Sequence, residues 1–152
     1  MKRIIIVSML FAVVTGNSQE KRAFRPILQS GVLPSRIVKT AKLWNGKYYR
    51  KGQSCQCANW VSQVVFSAGG GRPLYSSMAR NWLEWGRVVS KSAMKPGDVI
   101  VTWRGSKGGK SGHVLIYLGN GKCIHRPTRS KPVQLTDLSF YKSKILGVRR
   151  AI

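Results

Sequence analysis

The chain has 152 residues, with 27 Lys and Arg against 4 Asp and Glu, which gives a formal net charge of +23. The basic residues are spread along the sequence as far as Arg150, which excludes a disordered basic tail and indicates a basic globular surface. Such a surface favours a polyanionic partner: a cell-wall polymer, an anionic membrane surface or nucleic acid.

Residues 1–18 have the pattern of a secretory signal peptide. The positively charged start Lys2-Arg3 is followed by an apolar run over residues 4–14, and then by small and polar residues. The apolar run is shorter than the ~20 residues that a membrane-spanning helix needs. We therefore expect cleavage after Gly16 or Ser18 and a secreted or periplasmic protein. A retained N-terminal anchor is the alternative.

Prolines and glycines divide the next part of the chain into a lead-in and three helices. Residues 19–34 predict an irregular lead-in, followed by one domain over residues 35–152. Each predicted helix combines apolar residues at helical spacing with a glycine after its last turn. The helices are expected from Ser35 to about Trp44, from about Cys57 to the glycines at 69–71, and after Ser77 as far as Gly86.

The second half of the chain predicts strands. A turn over residues 95–98, Lys-Pro-Gly-Asp, introduces the first of them. The predicted strands are residues 99–103, 113–118, 122–125 and 145–150. Helices followed by an antiparallel sheet indicate a single α+β domain, and the chain is long enough for one hydrophobic core.

The cysteines suggest nucleophilic chemistry. Cys55, Cys57 and Cys123 are an odd number, so at least one thiol stays outside any internal disulfide. Cys57 stands at the predicted N-terminus of the second helix, where free N–H groups and the helix dipole favour a negative charge. Together with a nearby imidazolium, this position can lower a thiol pKa from about 8.5 to roughly 3.5–7.5 and can hold an oxyanion. The alternative is a buried cysteine that acts as a small apolar side chain.

The chain contains two histidines, and both fall in one predicted hairpin. A three-residue connection over residues 119–121 would place Leu118 opposite Lys122, so that His113 and His125 point to the same face. One imidazole can then act as base for the thiol while the other orients it. A two-residue turn would instead place the two side chains on opposite faces.

Three separated motifs resemble the NlpC-type cell-wall cysteine peptidases and their CHAP-type relatives, over roughly residues 35–150. They are the helix start Cys57-Ala58-Asn59-Trp60-Val61, the turn Lys95-Pro96-Gly97-Asp98-Val99, and the pair of strands that carry Gly112-His113-Val114 and Ile124-His125. Residues 46–52, Gly-Lys-Tyr-Tyr-Arg-Lys-Gly, are similar to the family's Gly-x-x-Tyr-x-x-Gly segment, with Tyr49 at the position of its Tyr.

The resemblance implies a papain-like fold, with N-terminal helices on a C-terminal antiparallel sheet, that hydrolyses amide bonds of peptidoglycan stem peptides. It implies Cys57 as nucleophile, His113 as base, His125 as the residue that orients the base, and Tyr49 near the oxyanion. No cofactor or metal is implied. The chain departs from the family where Gln56 replaces an Asp before the nucleophile and where Ala58-Asn59 replaces Ser-Gly.

Other patterns are weaker. A zinc set of the three cysteines and two histidines is disfavoured, because a single residue between Cys55 and Cys57 is tighter than usual ligand spacing. The glycine-rich residues 105–112 lack the spacing and the following helix of a phosphate-binding loop. The tryptophans are expected in the core. Cys123 is expected either as a core residue or as a redox partner of Cys55 or Cys57.

Two functions from different classes remain at this point. The first is a secreted, monomeric peptidoglycan hydrolase whose basic surface docks on peptidoglycan or another anionic envelope polymer, with peripheral contact to a membrane surface as a further option. The second is a catalytically decayed, cationic module that binds the envelope or nucleic acid. The absence from the sequence of a recognisable nucleic-acid-binding motif disfavours nucleic acid, and intact Cys57, His113 and His125 favour the enzyme.

Overall fold

The structure is a computed structural model that describes residues 32–71 and 78–152. The predicted signal peptide and residues 19–31 of the predicted lead-in lie outside the described residues. Within the described ranges, no helix has the length and apolar character needed to cross a membrane.

The two α-helices of the described residues are α1 (Leu33–Lys42) and α2 (Cys57–Ser67). Helix α1 begins two residues before the predicted start at Ser35. A proline fits the first turn of a helix because the N–H that it lacks would have no partner there, and Pro34 occupies such a position. Ser35 is therefore not the N-cap; its hydroxyl donates to the Val32 carbonyl at 2.8 Å. Helix α2 begins at Cys57 as predicted.

The third predicted helix is present as a 3-10 helix, Ala79–Glu84. Its turns close through bonds between residues three apart, such as Trp85 N–H to Trp82 carbonyl at 3.2 Å. Trp82 is fully buried and makes an edge-to-face contact with Trp85, with the ring centroids 5.0 Å apart. Trp82 therefore lies in the core, as expected. Three further 3-10 turns are Lys91–Ala93, Leu138–Phe140 and Lys142–Lys144.

Six strands of the described residues form one antiparallel sheet in the order β1-β6-β2-β3-β4-β5. They are β1 (Arg87–Val89), β2 (Val99–Trp103), β3 (Gly112–Gly119), β4 (Lys122–His125), β5 (Gln134–Asp137) and β6 (Ile145–Arg150). The four predicted strands are all present. The sequence did not reveal β1 and β5, which are short edge strands without a buried alternating pattern; Leu135 of β5 is 51% exposed.

The β3–β4 turn differs from its predicted form but keeps the predicted faces. Gly119 pairs with Lys122 across a two-residue turn, Asn120-Gly121, in which both residues have positive φ. Leu118 is then skipped by a register shift, and Tyr117 pairs with Cys123. The bulge restores the register that a three-residue connection would have given. His113 and His125 consequently point to the same face, although the turn itself has two residues.

Core residues lie on both faces of the sheet. The helix face packs α1, α2 and the 3-10 helix around Trp60 and Trp82 against β2 and β3. The opposite face holds a second cluster that includes Leu115 and Cys123, with Tyr141 packed against it.

One turn attaches α1 to the sheet. Gly97 has a φ of +95°, and a Cβ there would lie 2.7 Å from the Pro34 carbonyl oxygen, so the close approach requires glycine. The next residue, Asp98, is fully buried; its carboxylate accepts two hydrogen bonds of 2.7 Å from the Arg150 guanidinium and one of 2.8 Å from the Lys95 N–H. This ion pair joins the predicted Lys-Pro-Gly-Asp turn to β6.

Candidate active site

Cys57 is the first residue of α2 and is 7% exposed. The backbone N–H groups of Ala58 and of Val114 in β3 act on its thiol as donors that lower its pKa. Cys57 packs in the same core cluster as Val114, the residue that follows His113 in β3. The structure therefore packs the N-terminus of α2 against the histidine strand, and the predicted pairing of the thiol with His113 stays a prediction.

The two histidines form a buried pair. His113 Nε2 and His125 Nδ1 are 2.7 Å apart, and each residue is 2% exposed. The other nitrogen of each ring, His113 Nδ1 and His125 Nε2, is buried and has no hydrogen-bond partner in the described residues. His113 Nδ1 is thus the ring nitrogen of His113 that the histidine pair does not use. The prediction that one imidazole contacts the other is confirmed.

The electrostatics differ from the sequence expectation of a standing thiolate. Burial is the main cause that lowers the pKa of His113 to about 3, with the charges of His125, Arg104 and Arg126 adding to the shift. Burial, followed by Arg104, lowers the pKa of His125 to about 4. Burial also raises the pKa of the Cys57 thiol, against the opposing effect of its two backbone hydrogen bonds and of Arg104. These pKa shifts favour a neutral Cys57 thiol and neutral imidazoles at rest.

Tyr49 lies against the first turn of α2. Its hydroxyl donates to the Asn59 carbonyl at 3.4 Å, its ring is 9% exposed, and burial raises its pKa, so that it remains a hydrogen-bond donor. The two positions where the sequence departs from the family pattern bond to each other, since Asn59 Nδ2 donates to Gln56 Oε1 at 2.8 Å. Arg50 donates to the same oxygen at 3.2 Å. Gln56 therefore links Arg50 of the loop to Asn59 of α2 through one amide oxygen.

Arg126 is a buried residue of the site that the sequence did not indicate. It follows His125 directly, is 2% exposed, and donates to three backbone carbonyls of one loop, those of Tyr49 at 3.3 Å, Arg50 at 3.0 Å and Gln53 at 2.5 Å. It thereby ties the loop before Cys57 to the histidine strand. No sequence signal identifies such an arginine, because its partners are carbonyl groups, which every residue has.

Tyr141 was also missed. Its ring stacks on His113 with 5.8 Å between centroids and 27° between planes, and its hydroxyl lies 3.5 Å from His125 Nδ1. Tyr141 therefore covers the histidine pair from the opposite side of the sheet to the helices. Tyr141 precedes a 3-10 turn, in a stretch without strand or helix periodicity. No local pattern therefore indicates that its ring reaches the histidines.

The other two cysteines have different surroundings. Cys55 is exposed, with a φ of +54°, whereas Cys123 is fully buried on the sheet face away from the helices. Cys57 packs in the cluster on the helix face, and all three thiols are free. Burial is the main cause that raises the pKa of Cys123 to about 12. These positions favour the core interpretation of Cys123 over the redox partner.

Comparison with known proteins agrees with this geometry. Residues 43–150 match the sequence model of the NlpC/P60 family. The chain is 32% identical over 135 residues to the murein DD-endopeptidase MepS/murein LD-carboxypeptidase of Escherichia coli K12, covering 85% of this chain and 69% of that protein. It is 26% identical to the gamma-D-glutamyl-L-lysine dipeptidyl-peptidase of Bacillus subtilis 168, covering 88% and 43% of the two chains. The crystal structure of the NlpC/p60 domain of the peptidoglycan hydrolase SagA superposes with a TM-score of 0.59 at 25% identity, covering 77% of this chain and 97% of that domain.

The helices packed on an antiparallel sheet, with a cysteine at a helix N-terminus, define a papain-like cysteine peptidase. Within that class, the chain belongs to the NlpC/P60 family. The predicted fold class and family are confirmed.

Proposed function

We propose that this protein is a secreted peptidoglycan hydrolase that cleaves an amide bond of the stem peptide, with Cys57 as nucleophile and His113 as base. The observation that carries the proposal is the buried His113–His125 pair, which leaves His113 Nδ1 unbonded in the strand that packs against the Cys57 end of α2. The relatives named as murein endopeptidase and dipeptidyl-peptidase support the substrate class.

The hydrogen bond between the rings sets the direction of proton transfer. For His113 Nδ1 to accept a proton from the thiol, its Nε2 must carry hydrogen and donate to His125 Nδ1, so His125 carries its own proton on Nε2. His125 thereby fixes the tautomer of His113 and supports the imidazolium that forms. Because both groups are neutral at rest, His113 removes the thiol proton as the sulfur attacks the carbonyl carbon.

The remaining steps use the helix end and the same imidazole. Free N–H groups of the first turn of α2 stabilise the oxyanion of the tetrahedral intermediate. The Tyr49 hydroxyl donates to the Asn59 carbonyl at rest and becomes a further donor when it turns from that carbonyl to the oxyanion. His113 then gives its proton to the leaving amine, and a thioester forms at Cys57. Water, deprotonated by His113, hydrolyses the thioester and restores the thiol.

The test is digestion of purified peptidoglycan followed by mass spectrometry of the released muropeptides. The wild type should release peptides that each carry one added water, whereas Cys57→Ala should release none. Cys55→Ala is the matched control, because Cys55 lies two residues away in the exposed loop, and it should keep most of the activity. Loss in Cys55→Ala with activity in Cys57→Ala would overturn the assignment, and wild type without any hydrolysis would favour the decayed binding module.

A further inference from the structure

Two clefts meet at Cys57 and share the residues Cys55, Cys57 and Arg104. The first, of about 190 Å³, is completed by the loop before Cys57 and by residues that follow β4, among them Arg126 and Arg129. The second, of about 280 Å³, extends past Ala79 and Lys110. A substrate bound across the nucleophile would place one flank in each cleft. We call the first of them the arginine cleft.

The arginine cleft carries positive charge without a compensating acid. Arg104, Arg126 and Arg129 line it, and no Asp or Glu of the described residues does. The two aspartates of the chain are engaged elsewhere, Asp98 with Arg150 and Asp137 with Lys122. A volume of about 190 Å³ is smaller than that of a typical drug-sized site and suits a single residue-sized group.

The three arginines differ in the donors that they offer. The Nε and Nη2 of Arg126 donate hydrogen bonds to loop carbonyls. Arg104 is exposed, and among the described residues its guanidinium makes one hydrogen bond, from Nη2 to the Pro127 carbonyl at 3.3 Å. Arg129 is exposed at the rim of the cleft. Arg104 therefore keeps free the donors that a planar anion requires, while Arg126 adds fixed charge behind it.

We propose that the arginine cleft binds a free carboxylate of the substrate beside the scissile amide, with Arg104 as the principal donor. The ligand class is a peptide carboxylate, and the proposal rests on the proposed peptidoglycan hydrolysis. Arg104 would act as a specificity-determining residue: a carboxylate can accept two of its N–H groups, whereas a primary carboxamide offers one oxygen and no charge. Amidation of that carboxylate in the stem peptide would then protect it from cleavage.

The experiment uses a synthetic stem peptide and a set of analogues in which each carboxylate in turn is replaced by a carboxamide. For the wild type, one replacement should lower kcat/KM by about tenfold to a hundredfold, the range of a lost charge-assisted bond. Arg104→Gln should reduce that ratio to near one, because it removes the group that distinguishes the two substrates. The ratio is the readout since Arg104 also acts on the pKa of Cys57 and His113, and that effect is common to both substrates.

Lys131→Gln is the matched control. Lys131 is an exposed cation in the same loop as Arg129 and does not line the cleft, so it should leave the ratio unchanged. Equal rates for all analogues with the wild type, or a ratio that persists in Arg104→Gln, would overturn the proposal while the hydrolase assignment stands. If the wild type hydrolyses no peptide, calorimetry with Cys57→Ala decides separately: tighter binding of the carboxylate form supports the cleft, and equal or no binding overturns it.

Discussion

Acidification from pH 7 to pH 5 should strongly destabilise the folded protein, because both of its histidines are buried and neutral. The folded-state pKa values are about 3 for His113 and about 4 for His125, against about 6.5 in an unfolded chain. Between these values the unfolded state binds more protons, so stability present above pH 6.5 is lost as the pH falls. The chain contains no other histidine, which isolates the effect.

The size of the effect follows from the unfolded-state titration. About 1.36 kcal/mol accompanies each pH unit below the unfolded-state pKa, so each histidine removes about 2 kcal/mol at pH 5 relative to pH 7. The pair removes about 4 kcal/mol, a large part of the 5–15 kcal/mol typical of a small domain. With a urea m-value of about 2 kcal/mol/M, the midpoint should fall by about 2 M.

Urea unfolding followed by circular dichroism at pH 7 and pH 5 measures this directly. His113→Gln and His125→Gln should each remove about half of the pH-dependent shift, whatever their effect on stability at pH 7, because glutamine does not titrate. A wild-type midpoint that stays constant between pH 7 and pH 5 would refute the reasoning. It would show that the folded protein takes up protons between pH 7 and pH 5 as the unfolded chain does, so that burial does not hold the two histidines neutral.

Three further outcomes follow from the same structure. His125→Asn should retain roughly 10- to 100-fold more activity than His125→Ala, because an amide oxygen can still accept the bond from His113 Nε2. His113→Asn should be inactive. Equal rates for the two His125 variants would show that His125 has another role. Asp98→Asn should lose about 3–5 kcal/mol of unfolding free energy by leaving Arg150 without its buried partner, and a change below 1 kcal/mol would contradict this. Co-sedimentation with cell wall should weaken between 0.1 M and 1 M salt, because the Debye length falls from about 10 Å to 3 Å. Turnover of a short soluble peptide should change much less. Sedimentation that does not depend on salt would show that the surface charge does not bind the cell wall.

The parts of the site that depend on local pattern were predictable. A cysteine at a helix start and two histidines of equal parity in one hairpin are visible as spacing in the sequence. The turn has two residues and not the predicted three. His113 and His125 still point to the same face, because the bulge at Leu118 shifts the register by one residue.

Burial and long-range partners were not predictable. The expected fall in the Cys57 pKa overlooked the desolvation of its sulfur between α2 and β3, a tertiary property. Arg126 donates to backbone carbonyls more than seventy positions away in the sequence. Arg104 and Arg126 line the same cleft because the sheet brings the ends of β2 and β4 to one place. Neither residue carries a local signal, since basic residues are common throughout this chain.

The most direct test of the catalytic assignment is covalent trapping with a stem-peptide analogue that carries a chloromethyl ketone at the scissile carbonyl. Peptide mapping by mass spectrometry should find the added mass on Cys57, with Cys55 unmodified although it is the more exposed thiol. His113→Asn should slow the labelling strongly, because the thiol then has no base. Labelling of Cys55 in preference to Cys57, or labelling of Cys57 at the same rate without His113, would contradict the account.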